Sequence, residues 1–369
     1  MKKFLTIFIL VTFYSVSFAE EIKWKWEKAF NSVVLISGEN EVGRIISDPF
    51  DQATPDGPPG EDKGPNSVVP KTVPYGMGSG FFIDEKHIIT NYHVVKGFDK
   101  ITLYIYNHPY PVDDVEIIGY DASIDIAVLR VNEKDLPNDI LSFAKESPLI
   151  GDDVYALGHG MSQMWSLTKG ILSYDYRRNP GTSFVHYLQT DAVINSGNSG
   201  GPLMNKDGDV VGVNTLIISG DKFYVGYGYV IPTPLVERVA TQIIETGKHV
   251  KPSIGIKMSI TEDRELYERL KSEGLGHYLE IKEVIVGSAA EQYGIQKGDI
   301  IISIDGTDIQ VMPQVIEFLW TKNPGDEIVF KVYRINAREK IVDVPVVLGT
   351  TTYHIPKYNP IGALNKTAV

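Results

Sequence analysis

The stretch INSGNSGGPL, residues 194–203, sets three glycines and two asparagines around Ser196 and Ser199. Glycine loses more conformational freedom on folding than any other residue, so such a cluster in a foldable region marks a backbone shape that a Cβ would forbid. A serine presented there can act as a nucleophile only beside a base, because its hydroxyl is inert at neutral pH until a neighbour takes the proton. The chain has eight histidines. His93, in TNYHVV just after the strand-like HIIT, stands at a strand end from which a side chain can reach a cleft. His87 lies within a strand pattern, and His108, His159, His186, His249, His277 and His354 lie near turns or in linker and tail. A carboxylate that orients the imidazole would complete the set. Asp125, in DASIDIAVLRV, abuts an apolar run directly, where an unpaired charge is costly unless it caps a turn. Asp121 is its competitor, and it reads with Asp113 and Asp114 as a turn residue.

The elements that must position these groups are short. From Gly76 the chain alternates β-type runs (SGFFID, HIITN, KITLYIY, VEIIGY, DIAVLRV) with turn residues, breaks near 132–150, and resumes with VYALG, KGILSY, HYLQTDAVI, DVVGVNTLII and VGYGYVIP. Many short strands at this spacing predict all-β barrels in two halves rather than alternating β and α units. LVERVATQIIETG predicts a closing helix, with Leu235, Val236, Val239, Ile243 and Ile244 on one face and Gly247 as the stop. A second unit of about a hundred residues follows, with strands IGIKM, YLEIKEVIV, DIIISIDG, EIVFKVYR and KIVDVPVVL and a helix MPQVIEFLW. Residues 44–75, rich in proline and glycine, read as a long loop with too little apolar surface to order itself.

Composition narrows the function classes. The 369 residues carry a formal net charge of −12, a poor default for nucleic-acid binding. Zero cysteines exclude a disulfide framework and a thiol nucleophile. No H-E-x-x-H occurs, so a metalloprotease is unsupported, and neither a metal centre nor a cofactor is expected. GMGSG at 76–80 resembles a phosphate loop only superficially, since it precedes a strand and not a helix. The opening MKKFLTIFILVTFYSVSFAEE has the grammar of a secretory signal with cleavage after Ala19, which predicts a periplasmic or secreted mature protein. The rival, an uncleaved anchor, is disfavoured by Thr6, Thr12, Ser15 and Ser17 in a short stretch.

In order, TNYHVV, SIDIAVL, QTDAVINSGNSGGPL and GYGYVIP resemble the HtrA family of chymotrypsin-like serine proteases, from about Gly76 to Ile231. SIGIK and VIVGSAAEQYGIQKGDIIISIDGTDI resemble the PDZ domain of that family. The resemblance implies a mainly β architecture: a signal peptide at 1–19, a chymotrypsin-like double β-barrel at 20–247, a PDZ domain at 253–348 and a tail at 349–369. It implies His93 as general base, Asp125 as orienting acid and Ser199 as nucleophile, with an oxyanion hole at Gly197, Asn198 and Ser199. Ser196 stands where many family members carry proline, which makes the loop less rigid. Ile194 and Ile217 would line a pocket for an aliphatic side chain, as no acid is available there for a basic one. Ile254, Gly255 and Ile256 would capture a peptide carboxylate while the peptide adds as a strand.

The function implied is an endopeptidase acting on unfolded or misfolded envelope proteins, trimeric or a multiple of trimers, assembled through Trp24, Trp26 and Phe30. The alternative is a peptide-holding chaperone or stress sensor of the same architecture with little or no cleavage. A non-peptidase acyl hydrolase is a third class. The closing Thr367-Ala368-Val369 has the form of a PDZ ligand and could dock in this chain's own groove or a neighbour's.

Overall fold

The computed structural model describes residues 26–39, 77–133, 136, 139–160, 164–178, 185–217, 226–335 and 337–350. The signal-like residues 1–19, Trp24, the whole 44–75 stretch and the Thr-Ala-Val terminus lie outside the described residues. Two compact units divide the chain, Met1–His249 and Val250–Val369.

The first described element of the first unit is helix α1 (26–32), which leads into β1 (Val33–Glu39). Seven residues are too few to reveal a helical period in sequence, so IKWKWEKAF carries no helix signal. Its aromatics meet the first unit itself: Trp26 packs on Tyr155 at 4.6 Å and Phe30 on Tyr106 at 5.5 Å, between ring centroids. Then come β2 (Met77–Phe82), β3 (His87–Thr90), the single helical turn α2 (Tyr92–Val95), β4 (Lys100–Ile105), β5 (Val115–Asp121) and β6 (Ile126–Val131). The strands form one six-stranded sheet in the order β4-β1-β2-β3-β6-β5. It wraps an apolar core of Val34, Ile36, Phe82, Ile88, Leu103 and Leu129.

After the break, β7 (Asp153–Gly158), β8 (Ser166–Arg178), β9 (His186–Thr190), β10 (Pro202–Asn205), β11 (Val210–Ile217) and β12 (Gly228–Pro232) close into a barrel in the order β10-β11-β12-β9-β8-β7. The expected helix is α3 (Thr233–Thr246), two residues longer at its start because Pro234 is tolerated in the first turn. It buries Leu235, Val236, Val239, Ala240 and Ile243 and stops at Gly247, which adopts φ 76°.

The second unit contains β13 (Pro252–Ser253), β14 (Ile256–Ile260), α4 (Arg264–Ser272), β15 (Leu279–Val284), α5 (Ala289–Gln292), β16 (Ile300–Ile304), β17 (Thr307–Asp308), α6 (Met312–Trp320), β18 (Glu327–Tyr333), β19 (Ile341–Val347) and β20 (Gly349–Thr350). Its sheet runs β14-β15-β16-β18-β19, so β14 is an edge strand. Residues 349 and 350, read from sequence as tail, pair with β13. Helix α4 is hidden in the sequence because only Leu266 and Leu270 anchor it among charged residues. Asp263 caps it by accepting from the amides of Glu265 and Leu266.

Candidate active site

Strand register brings the first two groups together. Strands β3 and β6 run antiparallel with Thr90 opposite Ala127, and continuing that register beyond the strands sets Tyr92 opposite Asp125. The chain is held there: Tyr92 N donates to Asp125 O at 3.3 Å and Asn91 Nδ2 to the same oxygen at 2.8 Å. The next residue, His93, then meets the carboxylate twice. Its amide donates to Asp125 Oδ1 at 2.9 Å, and its Nδ1 lies 2.7 Å from Oδ2. An ionised carboxylate only accepts, so Nδ1 carries the proton and Nε2 presents a lone pair.

Asp125 itself sits at φ 67°, a left-handed conformation that aspartate tolerates better than most residues. Asp121 builds the turn that imposes it. Its Oδ1 accepts from Ser123 N at 2.9 Å, Ser123 Oγ at 2.8 Å and Ile124 N at 3.2 Å, while its carbonyl accepts from Asp125 N at 2.9 Å. The other oxygen of Asp121 is 2.8 Å from Nδ1 of the buried His249. Among the described residues, the Asp121 carboxylate thus bonds to the turn and to His249, while Asp125 bonds to His93.

A second register delivers Ser199. Pro202 stands opposite Val213 in the β10–β11 pair, so Gly200 falls opposite Thr215 and Ser199 lies one residue away. Ser199 Oγ donates to the Thr215 carbonyl at 3.3 Å, and Thr215 Oγ1 donates to Asp125 Oδ2 at 2.7 Å. Thr215 thus joins the nucleophile candidate to the acid candidate, which nothing in VNTLI announces from sequence. Among the described residues, the hydrogen bond of the Ser199 hydroxyl goes to that carbonyl and not to the His93 ring.

In the loop, Gly197 adopts φ 100°, and a Cβ there would stand 2.4 Å from the His159 carbonyl oxygen. Only glycine meets both conditions. The Asn198 amide is used within the loop, donating to Asn195 O at 3.0 Å. Among the described residues, the Gly197 and Ser199 amides donate to no protein acceptor, which leaves them free for an incoming oxygen. Ile194 is 1% exposed and belongs to the barrel core with Leu172, Leu188 and Val230. Ile217 ends β11, with its side chain outside the described residues.

In the second unit, Gly255 adopts φ 83°, and a Cβ on it would lie 2.1 Å from that of Ser288. Its carbonyl accepts from Ile285 N at 2.9 Å, and the carbonyl of the buried Ile254 accepts from Ala290 N at 2.9 Å. Ile256 begins the edge strand β14, opposite Val284. Among the described residues, no group of three or more His, Asp or Glu side chains could hold a metal ion. No described helix is long and apolar enough to cross a membrane.

Two barrel-like sheets with an Asp-supported histidine and a serine on a glycine loop define a peptidase-like architecture, and a separate small β unit with an open edge strand follows it. Comparison with known families agrees: residues 78–213 match the trypsin-like peptidase domain and residues 252–346 the PDZ domain. The chain belongs to the trypsin-like peptidases that carry a PDZ domain, and its relatives and structural neighbours bear DegP and HtrA names. It is 35% identical over 295 residues to a probable periplasmic serine endoprotease DegP-like of Chlamydia muridarum, covering 79% of this chain and 57% of that one. To the serine protease Do-like HtrB of Bacillus subtilis it is 34% identical over 265 residues, covering 68% of this chain and 57% of the relative. It thus spans less than two thirds of these relatives' length. The solved HtrA-type protease AlgW with tripeptide shares the fold at TM-score 0.71 and 24% identity, over 89% of this chain and 97% of the other.

Proposed function

We propose that this chain is a serine endopeptidase that cleaves unfolded polypeptides through an acyl-enzyme, with Ser199 as nucleophile, His93 as general base and Asp125 as orienting acid. The observation that carries it is the convergence on Thr215, which holds Asp125 at 2.7 Å by its side chain and Ser199 at 3.3 Å by its carbonyl. Rotation of the Ser199 hydroxyl from that carbonyl to His93 Nε2 would start the reaction. His93 takes the proton, Oγ attacks the peptide carbonyl, and the amides of Gly197 and Ser199 receive the anionic oxygen. His93 then protonates the leaving amine and activates water for deacylation. By the HtrA resemblance, Ile194 and Ile217 would line a pocket for an aliphatic side chain before the cleaved bond, with Ile194 reaching it from the barrel core. The edge strand β14 takes a peptide C-terminus, with its carboxylate on the 254–256 backbone.

Periplasmic residence follows the names of the relatives and the signal-like leader, and assembly into trimers follows the HtrA resemblance. The test is proteolysis of casein by wild type and Ser199→Ala. Loss of one triad member is expected to lower kcat by about 10⁶. Equal turnover by both proteins would overturn the reading. One observation favours a second reading, a peptide-binding chaperone or sensor with little cleavage: the Ser199 hydroxyl rests on Thr215 O and not on His93. Binding of unfolded protein without turnover, unchanged by added C-terminal peptides, would select it.

A further inference from the structure

Strand β2 passes directly behind the 197–201 loop, and one residue on it is bonded to both residues whose amides would receive the oxyanion. Ser79 Oγ lies 2.7 Å from Gly197 O, and Ser79 N donates to Ser199 O at 2.8 Å. The same Oγ accepts from His159 N at 3.2 Å and lies 3.0 Å from His159 Nδ1. Proton counting settles the directions. A carbonyl oxygen can only accept, so at 2.7 Å the single Ser79 proton points at Gly197 O. Nδ1 of His159 must then be the donor. Ser79 Oγ donates once and accepts twice, its whole capacity.

His159 is built to stay in that state. It is 1% exposed, and burial pushes its imidazole down to about 4, so it is neutral at ordinary pH. Its ring meets Trp165 edge-on at 5.0 Å between centroids, and Trp165 Nε1 donates to Val33 O at 3.2 Å. Nε2 has no hydrogen-bond partner among the described residues, as fits the unprotonated nitrogen of this tautomer.

We propose that Ser79 and His159 are positioning residues for the oxyanion loop. This rests on the peptidase reading above and adds to it the means by which the loop is aimed. Anchoring Gly197 O fixes the plane of the 197–198 peptide, and with it the directions of the amides on either side. Without the Ser79 proton, that carbonyl is an unsatisfied buried acceptor. Turning it toward water rotates ψ of Gly197 and φ of Asn198 and carries the donors off line. A shift of about 1 Å in such a site can cost about 100-fold in rate.

The experiment measures kcat and KM on a chromogenic peptide for wild type, Ser199→Ala, Ser79→Ala, His159→Leu and His159→Asn, each checked for folding by circular dichroism. Affinity for a peptide boronic acid, whose adduct puts an anionic oxygen against the same amides, is read in parallel. Ser79→Ala and His159→Leu are expected to lose about 10-fold to 100-fold in kcat with KM little changed, and to weaken the boronate to match. His159→Asn, whose amide N–H can replace Nδ1–H, is expected to keep most of the rate. Should Ser79→Ala not fold, the His159 pair carries the comparison. A kcat within about 2-fold of wild type in a folded Ser79→Ala or His159→Leu, against the 100-fold possible for a misplaced site, overturns the proposal while leaving the peptidase reading intact. Wild type no faster than Ser199→Ala overturns both.

Discussion

Thr215 donates its side-chain proton to Asp125 Oδ2 at 2.7 Å, from the strand whose main chain also receives the hydroxyl of Ser199 at 3.3 Å. Strand β11 of the closed barrel thereby clamps a residue that follows β5 of the other sheet. The carboxylate orientation is set from outside its own turn. Thr215→Val keeps the shape and removes this charge-assisted bond, worth about 1.5–3 kcal/mol. We expect kcat to fall about 10-fold or more with KM little changed, measured on a peptide substrate. An unchanged kcat would mean that the His93 contacts alone hold Asp125.

Asp125 receives donors at both oxygens: His93 N, His93 Nδ1 and Thr215 Oγ1. Asp125→Asn puts an amide N–H against at least one of them and favours the wrong imidazole tautomer. The expected loss in kcat is about 10⁴, the scale seen for this change in a chymotrypsin-type triad. Steady-state kinetics at pH 7.5 check it, and a loss below about 10-fold would deny Asp125 an orienting role.

Burial holds both His159 and His186 at about 4, below the ordinary histidine value of 6.5. The unfolded chain therefore binds protons that the folded chain refuses as pH falls from about 6.5 toward 4. Stability from these two groups is fully present above that window and is lost on acidification through it. A tenfold difference in proton affinity between folded and unfolded chain is worth about 1.4 kcal/mol, so the loss is a few kcal/mol. Urea midpoints of Ser199→Ala between pH 7.5 and 4.5 should fall accordingly, and the slope should lessen in the His159→Asn background. A flat profile would contradict the burial.

Gly255→Ala tests the second unit, because its φ of 83° and the 2.1 Å approach to Ser288 leave no place for a methyl group. Affinity for a fluorescent peptide with a free C-terminus is expected to drop at least about 10-fold, equivalent to about 1.4 kcal/mol. Fluorescence anisotropy measures it. Equal affinity for wild type and variant would move the carboxylate site elsewhere.

Arg334 and Asp299 form a bidentate ion pair in the second unit. Asp299 is 1% exposed, and its two oxygens accept from Arg334 Nε and Nη2, each at 2.8 Å. Arg334→Leu leaves a buried carboxylate without its cation and is expected to destabilise that unit by about 3–5 kcal/mol. Calorimetry of the full chain should show one transition shifted and the other in place.

Much of this protein is legible in its residue order. Strand-sized apolar runs, the stop at Gly247 and the glycines around Ser199 are local properties, decided by propensity and by backbone shapes that few residues can take. The side chains at 93, 125 and 199 are named by the company they keep within a few positions. Helices α1 and α4 are not, because one is too short to show a period and the other rests on two leucines. Tertiary structure alone decided that Thr215 would join Asp125 to Ser199, that Asp121 would also reach His249, and that Ser79 and His159 would stand behind Gly197. Those contacts depend on strand register and on how two sheets meet, and residues more than a hundred positions apart, such as Ser79 and Gly197, leave no trace of their pairing in either neighbourhood. Hydrogen bonds act over about 3 Å of space, while propensity acts over a few residues of chain.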